Sequence, residues 1–187
     1  MIQSVDPVRA AAVLVPLLGA GGAEERFVLV VRAPGGPHGG QIAFPGGVRD
    51  PTDPDLRATA LREAWEEIGL PAEAVRMITE LPSVATRASG FHITPFLGIV
   101  GTQGPWRPNP GEIVDVLEVE IAYLADRAAR ERAVWRREGW EAPREVTFIR
   151  LGDHILWGAT LRIIDDLLPR LGAWKLRAAS DAGSDGT

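Results

Sequence analysis

The order of apolar and polar residues predicts a chain in which strands and helices are mixed. Two apolar runs flank a glycine-rich turn and predict a β-hairpin: AAVLVPLL (11–18) and FVLVVR (27–32). Further strands are predicted at QIAF (41–44) and around residues 77–81, 91–100, 113–121, 146–151 and 154–158. Because these strands do not alternate regularly with helices, we expect an α/β protein with a mixed sheet, not a doubly wound fold.

Three helices are predicted, and the one over residues 54–68 has the clearest boundaries. Asp53 is a favourable N-cap, Pro54 suits the first helical position, and Gly69 suits the C-terminal cap. An alanine- and arginine-rich stretch (125–138) predicts a surface helix, and an apolar stretch (160–168) predicts the third helix. Within the first strand, Pro16 indicates an edge position or a bulge, because proline cannot donate to a strand ladder.

The composition is that of a globular protein. The 187 residues are 45% apolar and 24% charged, so we expect one domain over residues 1–175 and a disordered tail over 176–187. The net charge of −5 disfavours nucleic-acid binding. The absence of cysteine excludes disulfide scaffolds, thiolate metal sites and cysteine nucleophiles. No segment is typical of a membrane span or signal peptide, so a cytoplasmic protein is expected.

Three glutamates occupy one side of the helix predicted over residues 54–68. At 100° per residue, Glu63, Glu66 and Glu67 fall within roughly 100° of arc. The opposite side is apolar and carries Leu61, Ala64, Trp65 and Ile68. Like charges at this spacing repel one another, and they suit a hard divalent cation such as Mg²⁺ or Mn²⁺. The alternative is a solvated acidic face without a metal.

This segment resembles the Nudix box, G-x5-E-x7-REUxEExGU, in which U is a bulky aliphatic residue. The run REAWEEIGL (62–70) matches the second half of that motif, with Ala64 at a position that is normally larger. Gly47 matches its first glycine. Asp53 stands where the box usually has glutamate, and eight residues instead of seven separate it from Arg62.

The resemblance implies an α/β/α sandwich with a mixed sheet. It also implies an enzyme that cleaves a nucleoside diphosphate linked to another group, by attack of water at phosphorus. On the family pattern, Glu63 and Glu67 bind Mg²⁺ or Mn²⁺ with help from Glu66, Arg62 orients the glutamates, and the Gly47 carbonyl is a further candidate ligand.

The segment before the box is similar to the upstream signature of the coenzyme A pyrophosphatase branch of that family. This similarity extends over roughly residues 27–165, although Gly35-Gly36 replaces the leucine-arginine pair of the branch. It implies hydrolysis of coenzyme A or its derivatives to 4′-phosphopantetheine, or its acyl form, and adenosine 3′,5′-bisphosphate. The matching positions are Arg32, His38, Gly40, Ile42, Phe44, Pro45, Gly46, Gly47, Asp50, Asp53, Thr59 and Ala60.

Several residues around the box are candidates for substrate binding. Arg32, Arg49 and Arg87 are either phosphate contacts or plain surface charges, and at least one is expected to contact a substrate phosphate. His38 is either a loop histidine or a functional one. Gly40 lies either in a flexible turn or where the backbone approaches the ligand closely.

Glu66, Glu67 and Glu112 are all candidates for the general base, and Glu112 is alternatively a surface residue at a strand edge. Two other functions stay open: a Nudix hydrolase of another substrate, such as ADP-ribose or a nucleoside triphosphate, and a non-catalytic nucleotide sensor. The intact REAWEEIGL disfavours the sensor. The expected partner is a small-molecule substrate, bound by a monomer or a homodimer.

Overall fold

A mixed sheet with helices on both faces organises the chain. The computed structural model describes residues 9–22, 24–35, 39–86, 90–101, 105–137 and 140–173. In these ranges the strands are β1 (Arg9–Leu18), β2 (Arg26–Arg32), β3 (Ile42–Ala43), β4 (Gly46–Val48), β5 (Val75–Glu80), β6 (Val84–Ala85), β7 (Phe91–Val100), β8 (Ile113–Glu120), β9 (Arg130–Trp135), β10 (Arg144–Leu151) and β11 (His154–Trp157). The α-helices are α1 (Leu56–Ile68), α2 (Ile121–Ala125) and α3 (Gly158–Leu167), and 3-10 turns cover Ala72–Ala74, Arg127–Ala129 and Leu168–Arg170.

The main sheet has the strand order β3-β2-β1-β7-β5. Strands β1 and β7 run parallel, in register from Arg9 opposite Phe91 to Leu17 opposite Ile99. The other pairings in this sheet are antiparallel: β4 with β1, β6 with β7 and β8 with β2, in addition to the neighbours in the main order. The predicted hairpin of β1 and β2 and the predicted mixed sheet are therefore confirmed.

The two faces of the main sheet bury separate apolar cores. On one face, the side chains of Leu14 and Val28 pack with Ala60, Ala64 and Ile68 of α1. On the other face, β1 and β2 pack against α3 and against a second sheet with the order β11-β10-β9. The α/β/α arrangement implied by the sequence resemblance is confirmed.

Pro16 does not mark an edge strand, because β1 lies between β2 and β7 in the sheet. Its nitrogen points to the same side as the Leu14 N–H, which donates to the Pro45 carbonyl at 2.9 Å. On that side, β1 pairs with β4 through residues 11–13 and with β2 through residues 17 and 18. Pro16 occupies the interval between these two pairings, where a missing N–H breaks no ladder bond.

The surface helix predicted over residues 125–138 is wrong. The short α2 ends at Ala125, a 3-10 turn follows, and β9 occupies Arg130–Trp135. Strand β9 pairs with β10 from Arg144 opposite Trp135 to Ile149 opposite Arg130. The cross-strand partners outweigh the helical preference of alanine and arginine, a preference that is weak for each residue.

None of the helices in the described ranges is long and apolar enough for a membrane crossing. The predicted disordered tail, 176–187, lies outside the described residues.

Candidate active site

Helix α1 begins two residues later than the sequence pattern predicts, because Asp55 is its N-cap in place of Asp53. The Asp55 side chain accepts a hydrogen bond from the Ala58 N–H at 2.7 Å. At the other end, Gly69 adopts φ 69° and caps the helix as predicted. A left-handed residue at this position favours glycine, which carries no Cβ to clash.

Asp53 is instead the buried partner of Arg62. The guanidinium contacts both carboxylate oxygens, Nε to Oδ1 and Nη2 to Oδ2, each at 3.0 Å. Thr59 Oγ1 and the Asp50 N–H donate to the same Asp53 Oδ2 at 2.8 and 2.9 Å. These contacts, the Arg62 hydrogen bond first among them, hold the pKa of Asp53 well below its ordinary value.

Arg62 also contacts two of the three glutamates on α1. Its Nη2 lies 2.9 Å from a Glu63 carboxylate oxygen, and its Nη1 donates to Glu66 at 2.7 Å. Hydrogen bonding to Asp53 raises the already high pKa of Arg62. The permanently charged guanidinium therefore sets the direction of both glutamate side chains.

Glu67 is fully buried, although the sequence places it on the polar arc, away from the apolar side of the helix. One carboxylate oxygen accepts from Arg32 Nη1 at 3.1 Å and the other from the Gly46 N–H at 2.9 Å. Burial raises the pKa of Glu67 to about 7 despite these partners. Trp65, assigned to the buried face from the sequence, is 55% exposed. The buried side of α1 is therefore rotated toward Glu67 and away from Trp65.

Two consecutive glycines form the wall opposite the glutamates. A Cβ on Gly46 would come within 2.3 Å of the Ala12 carbonyl oxygen. A Cβ on Gly47 would come within 2.5 Å of the Glu63 carboxylate. The first glycine lets β4 pair closely with β1, and the second leaves room for Glu63 against the backbone. Burial raises the pKa of Glu63 as well.

The loop before β8 joins the last turn of α1. The Arg107 and Asn109 N–H groups donate to the carbonyls of Ile68 and Glu67 at 3.0 and 2.9 Å. These bonds satisfy carbonyls that a helix end leaves without partners. The loop ends at Glu112, whose negative charge contributes to the raised pKa of both Glu63 and Glu67. The predicted candidate Glu112 thus lies beside the acidic helix.

The structure places the other predicted substrate residues differently. Arg32 binds Glu67, while Arg49 Nη2 donates to the backbone carbonyls of Asp53 and Pro54 at 3.0 and 3.1 Å. The exposed Gly40 donates its N–H to the Arg32 carbonyl at 3.0 Å. Two further candidates, His38 and Arg87, lie outside the described residues.

The donors around α1 suit a hard divalent cation in their chemistry. Glu63 is a partly buried carboxylate and Glu67 a fully buried one, and burial raises the pKa of both. In the part of the chain that is described, no three carboxylate or imidazole side chains are arranged so that they could hold a metal ion together. The arginines explain this arrangement, since Arg62 holds Glu63 and Glu66 and Arg32 holds Glu67.

Sequence reasoning missed two parts of this site. It treated Asp53 as a helix cap, although a carboxylate nine residues before Arg62 was a possible partner for that arginine. It assigned Arg32 to the substrate, although a buried Glu67 requires a cation nearby. Asn109, which lies in the turn NPGE before β8, was also not singled out from the sequence.

Known proteins of one family resemble this chain. The family model described as NUDIX domain matches residues 8–139. The uncharacterized Nudix hydrolase NudL of Salmonella newport (strain SL254) is 37% identical over 136 residues, which are 72% of this chain and 69% of NudL.

Solved structures show the same fold. The Nudix hydrolase RenU of M. smegmatis is 28% identical, with a TM-score of 0.53 over 63% of this chain and 74% of RenU. The NUDIX domain of Shewanella oneidensis NrtR, solved with ADP ribose, is 15% identical, with a TM-score of 0.55 over 87% of this chain and 88% of that domain. The second likeness concerns the fold alone.

Proposed function

The chain belongs to the Nudix family, and on this premise we propose that it hydrolyses the diphosphate bond of coenzyme A and its derivatives. The products are 4′-phosphopantetheine, or its acyl form, and adenosine 3′,5′-bisphosphate. The observation that carries the hydrolytic part is the grouping of Arg62, Glu63, Glu66 and Glu67 with the Gly46-Gly47 wall. The choice of coenzyme A rests on the resemblance of the segment before the box.

Residues of α1 and β4 would hold the metal. Glu63, Glu66, Glu67 and the Gly47 carbonyl supply oxygen donors of the kind that Mg²⁺ and Mn²⁺ prefer. A bound divalent cation supplies Lewis-acid activation of the diphosphate and orientation of its oxygens. To bind it, Glu63 and Glu66 would turn from the guanidinium of Arg62, with which both form ion pairs. Arg62 itself is anchored by its two hydrogen bonds to Asp53.

Glu112 is the strongest candidate for the general base. In this proposal Glu66 and Glu67 are donors to the metal, and both already accept hydrogen bonds from Arg62, Arg32 or Gly46. Glu112 is exposed and receives only a neutral amide donor at its carboxylate in the described part of the chain. An exposed carboxylate beside the acidic helix can accept the proton of an attacking water.

Arg32 is a positioning residue in this proposal, although a substrate contact was predicted. Its guanidinium lies against the buried Glu67 carboxylate, so its first effect is to stabilise that charge. About a third of the Arg32 side chain is exposed, so part of it is open to solvent. A substrate phosphate can contact that open part while Glu67 keeps its partner.

A kinetic comparison of coenzyme A, dephospho-coenzyme A and ADP-ribose tests the proposal. We expect kcat/KM for coenzyme A to exceed that for the dephospho form by about 10- to 100-fold, because the 3′-phosphate adds a charged contact. Products are identified by mass, and the Glu67→Gln protein serves as the control for contaminating hydrolases. Faster hydrolysis of ADP-ribose than of coenzyme A would overturn the substrate assignment. Binding without turnover of any of the three would favour a sensor.

A further inference from the structure

Asn109 makes more contacts around the site than its place in an exposed turn suggests. Its backbone N–H donates to the Glu67 carbonyl at 2.9 Å, which ties the turn to the last part of α1. Its own carbonyl accepts from the N–H groups of Glu112 and Ile113 at 2.9 and 2.8 Å. The residue therefore connects the helix that carries the buried glutamate with the start of β8.

The side-chain amide of Asn109 has a fixed orientation. Its Oδ1 accepts from the Gly111 N–H at 3.2 Å, and an N–H can only donate, so the oxygen must face Gly111. The Nδ2 group then points to Glu112 and lies 3.3 Å from its Oε1. A neutral donor is thereby directed at the Glu112 carboxylate.

A second anchor holds the backbone of Glu112. Its carbonyl accepts from the Ala33 N–H at 2.7 Å, directly after Arg32 on β2. The backbone of Glu112 is thus held to the end of β2, the strand that carries Arg32. Through Asn109 it is also held to the last turn of α1. Its charge acts on Glu63 and Glu67 from this position.

We propose that Asn109 is a positioning residue that directs the Glu112 carboxylate toward the acidic helix for attack on the substrate. The inference rests on the proposed hydrolase function. The amide is specifically required, because aspartate would keep the acceptor for Gly111 but place a second negative charge against Glu112. Asn109→Asp therefore preserves the turn and reverses one interaction only.

Four proteins test this: wild type, Asn109→Asp, Glu112→Gln and the double variant. For Asn109→Asp we expect kcat to fall about 10- to 100-fold with KM within about twofold, because a displaced base slows chemistry without weakening binding. The double variant should be no slower than Glu112→Gln alone, since glutamine at 112 removes the repulsion and can donate to aspartate.

Thermal unfolding in excess chelator gives a readout that needs no turnover. Asn109→Asp should lower Tm by about 2–4 °C through like-charge repulsion, and the double variant should recover it. The matched control is Asp126→Asn, which exchanges the same residue types in an exposed turn where Asp126 accepts from the Ala128 N–H. It should leave kcat unchanged.

Two results would overturn the inference. One is an Asn109→Asp protein with kcat within twofold of wild type. The other is a double variant whose loss of kcat equals the product of the losses of the two single variants. Failure of the proposed function would look different, as a wild-type protein that hydrolyses none of the three substrates. That result would overturn the positioning role of Asn109 together with the function, whatever the unfolding temperatures show.

Discussion

Arg62 meets Asp53 through two parallel hydrogen bonds, each 3.0 Å long, and the same guanidinium reaches Glu63 and Glu66. The aspartate comes from the turn before α1 and is nearly inaccessible to solvent. A paired guanidinium and carboxylate in a shielded position hold each other in one geometry. The turn before the helix thus fixes the residue that orients the glutamates on the helix.

Asp53→Asn should lower the stability of the protein at neutral pH. The neutral amide has one acceptor oxygen and no negative charge, so it cannot replace both hydrogen bonds to Arg62. Losing hydrogen bonds to a charged group should reduce Tm by roughly 3–10 °C. Because the pKa of Asp53 is lowered in the folded state, its stabilisation is present above the unfolded pKa of about 4 and is lost as the pH falls toward the folded pKa.

Thermal unfolding from pH 8 to pH 3 checks this expectation. The gap in Tm between wild type and Asp53→Asn should be widest near neutrality and should narrow below about pH 4. Asp165→Asn is the control, because Asp165 pairs with Arg130 in a more exposed position and should cost less. A gap that is constant over the whole pH range would contradict the ionic role of Asp53.

Turnover should require a divalent cation, because the four carboxylates of Asp53, Glu63, Glu66 and Glu67 share the two guanidinium groups of Arg32 and Arg62. Excess chelator should abolish hydrolysis, and added Mg²⁺ or Mn²⁺ should restore it. The same cations should raise Tm, since a ligand that binds only the folded state stabilises it. Full activity in excess chelator would exclude the metal site.

Glu67→Gln should reduce the rate about 100-fold or more, because it removes a charge that acts in the transition state. The fold should survive, although the side chain is buried. Burial raises the pKa of Glu67 to about 7, so the carboxyl favours the folded state below its unfolded pKa and this contribution is lost as the pH rises through 7. The glutamine amide does not titrate, so the Glu67→Gln protein keeps its stability as the pH rises through 7.

Rates and Tm values for Glu67→Gln measured at pH 8 check both parts, with Tm taken in chelator. We expect a Tm equal to or above that of wild type. Glu73→Gln, in the exposed turn after α1, removes the same charge outside the site and should leave the rate within twofold. A Glu67→Gln enzyme with a near-normal rate would show that this carboxylate is dispensable.

Gly47→Ala should inactivate the enzyme without unfolding it. The new Cβ would come within 2.5 Å of the Glu63 carboxylate, a side-chain end that can move aside, so the direct consequence is a displaced Glu63. We expect at least a tenfold loss of kcat/KM. Gly101→Ala is the control, because among the described residues the nearest atom to its Cβ is the Ala74 carbonyl oxygen at 3.8 Å. Equal activity of the two variants would contradict the role of this wall.

The sequence was most informative where spacing and chemistry agreed. The apolar runs predicted β1, β2 and β7 because strands buried on both faces are continuously apolar. The spacing of residues 62–70 predicted the acidic helix and its closing Gly69. The predicted helix carries Glu63, Glu66 and Glu67 in the structure as well.

The errors arose where partners distant in sequence decide the outcome. Glu67 and Trp65 both lie near the boundary of the apolar arc, and which one is buried depends on Arg32 and Gly46. The stretch after Ala125 has helical propensity, but β10 offers it a complete strand edge. Local sequence does not contain either partner.

The parallel pairing of β1 with β7 also determines when the site can form during folding. Arg9 and Phe91 are 82 residues apart, so their pairing must close a long loop. The loss of chain entropy in that closure comes before the paired strands stabilise each other. The acidic helix can form from local contacts, but Gly46 reaches Glu67 only through β4, which is held on β1. During refolding, helical signal should therefore return before hydrolytic activity does, since long-range strand pairing is the slow event in such topologies.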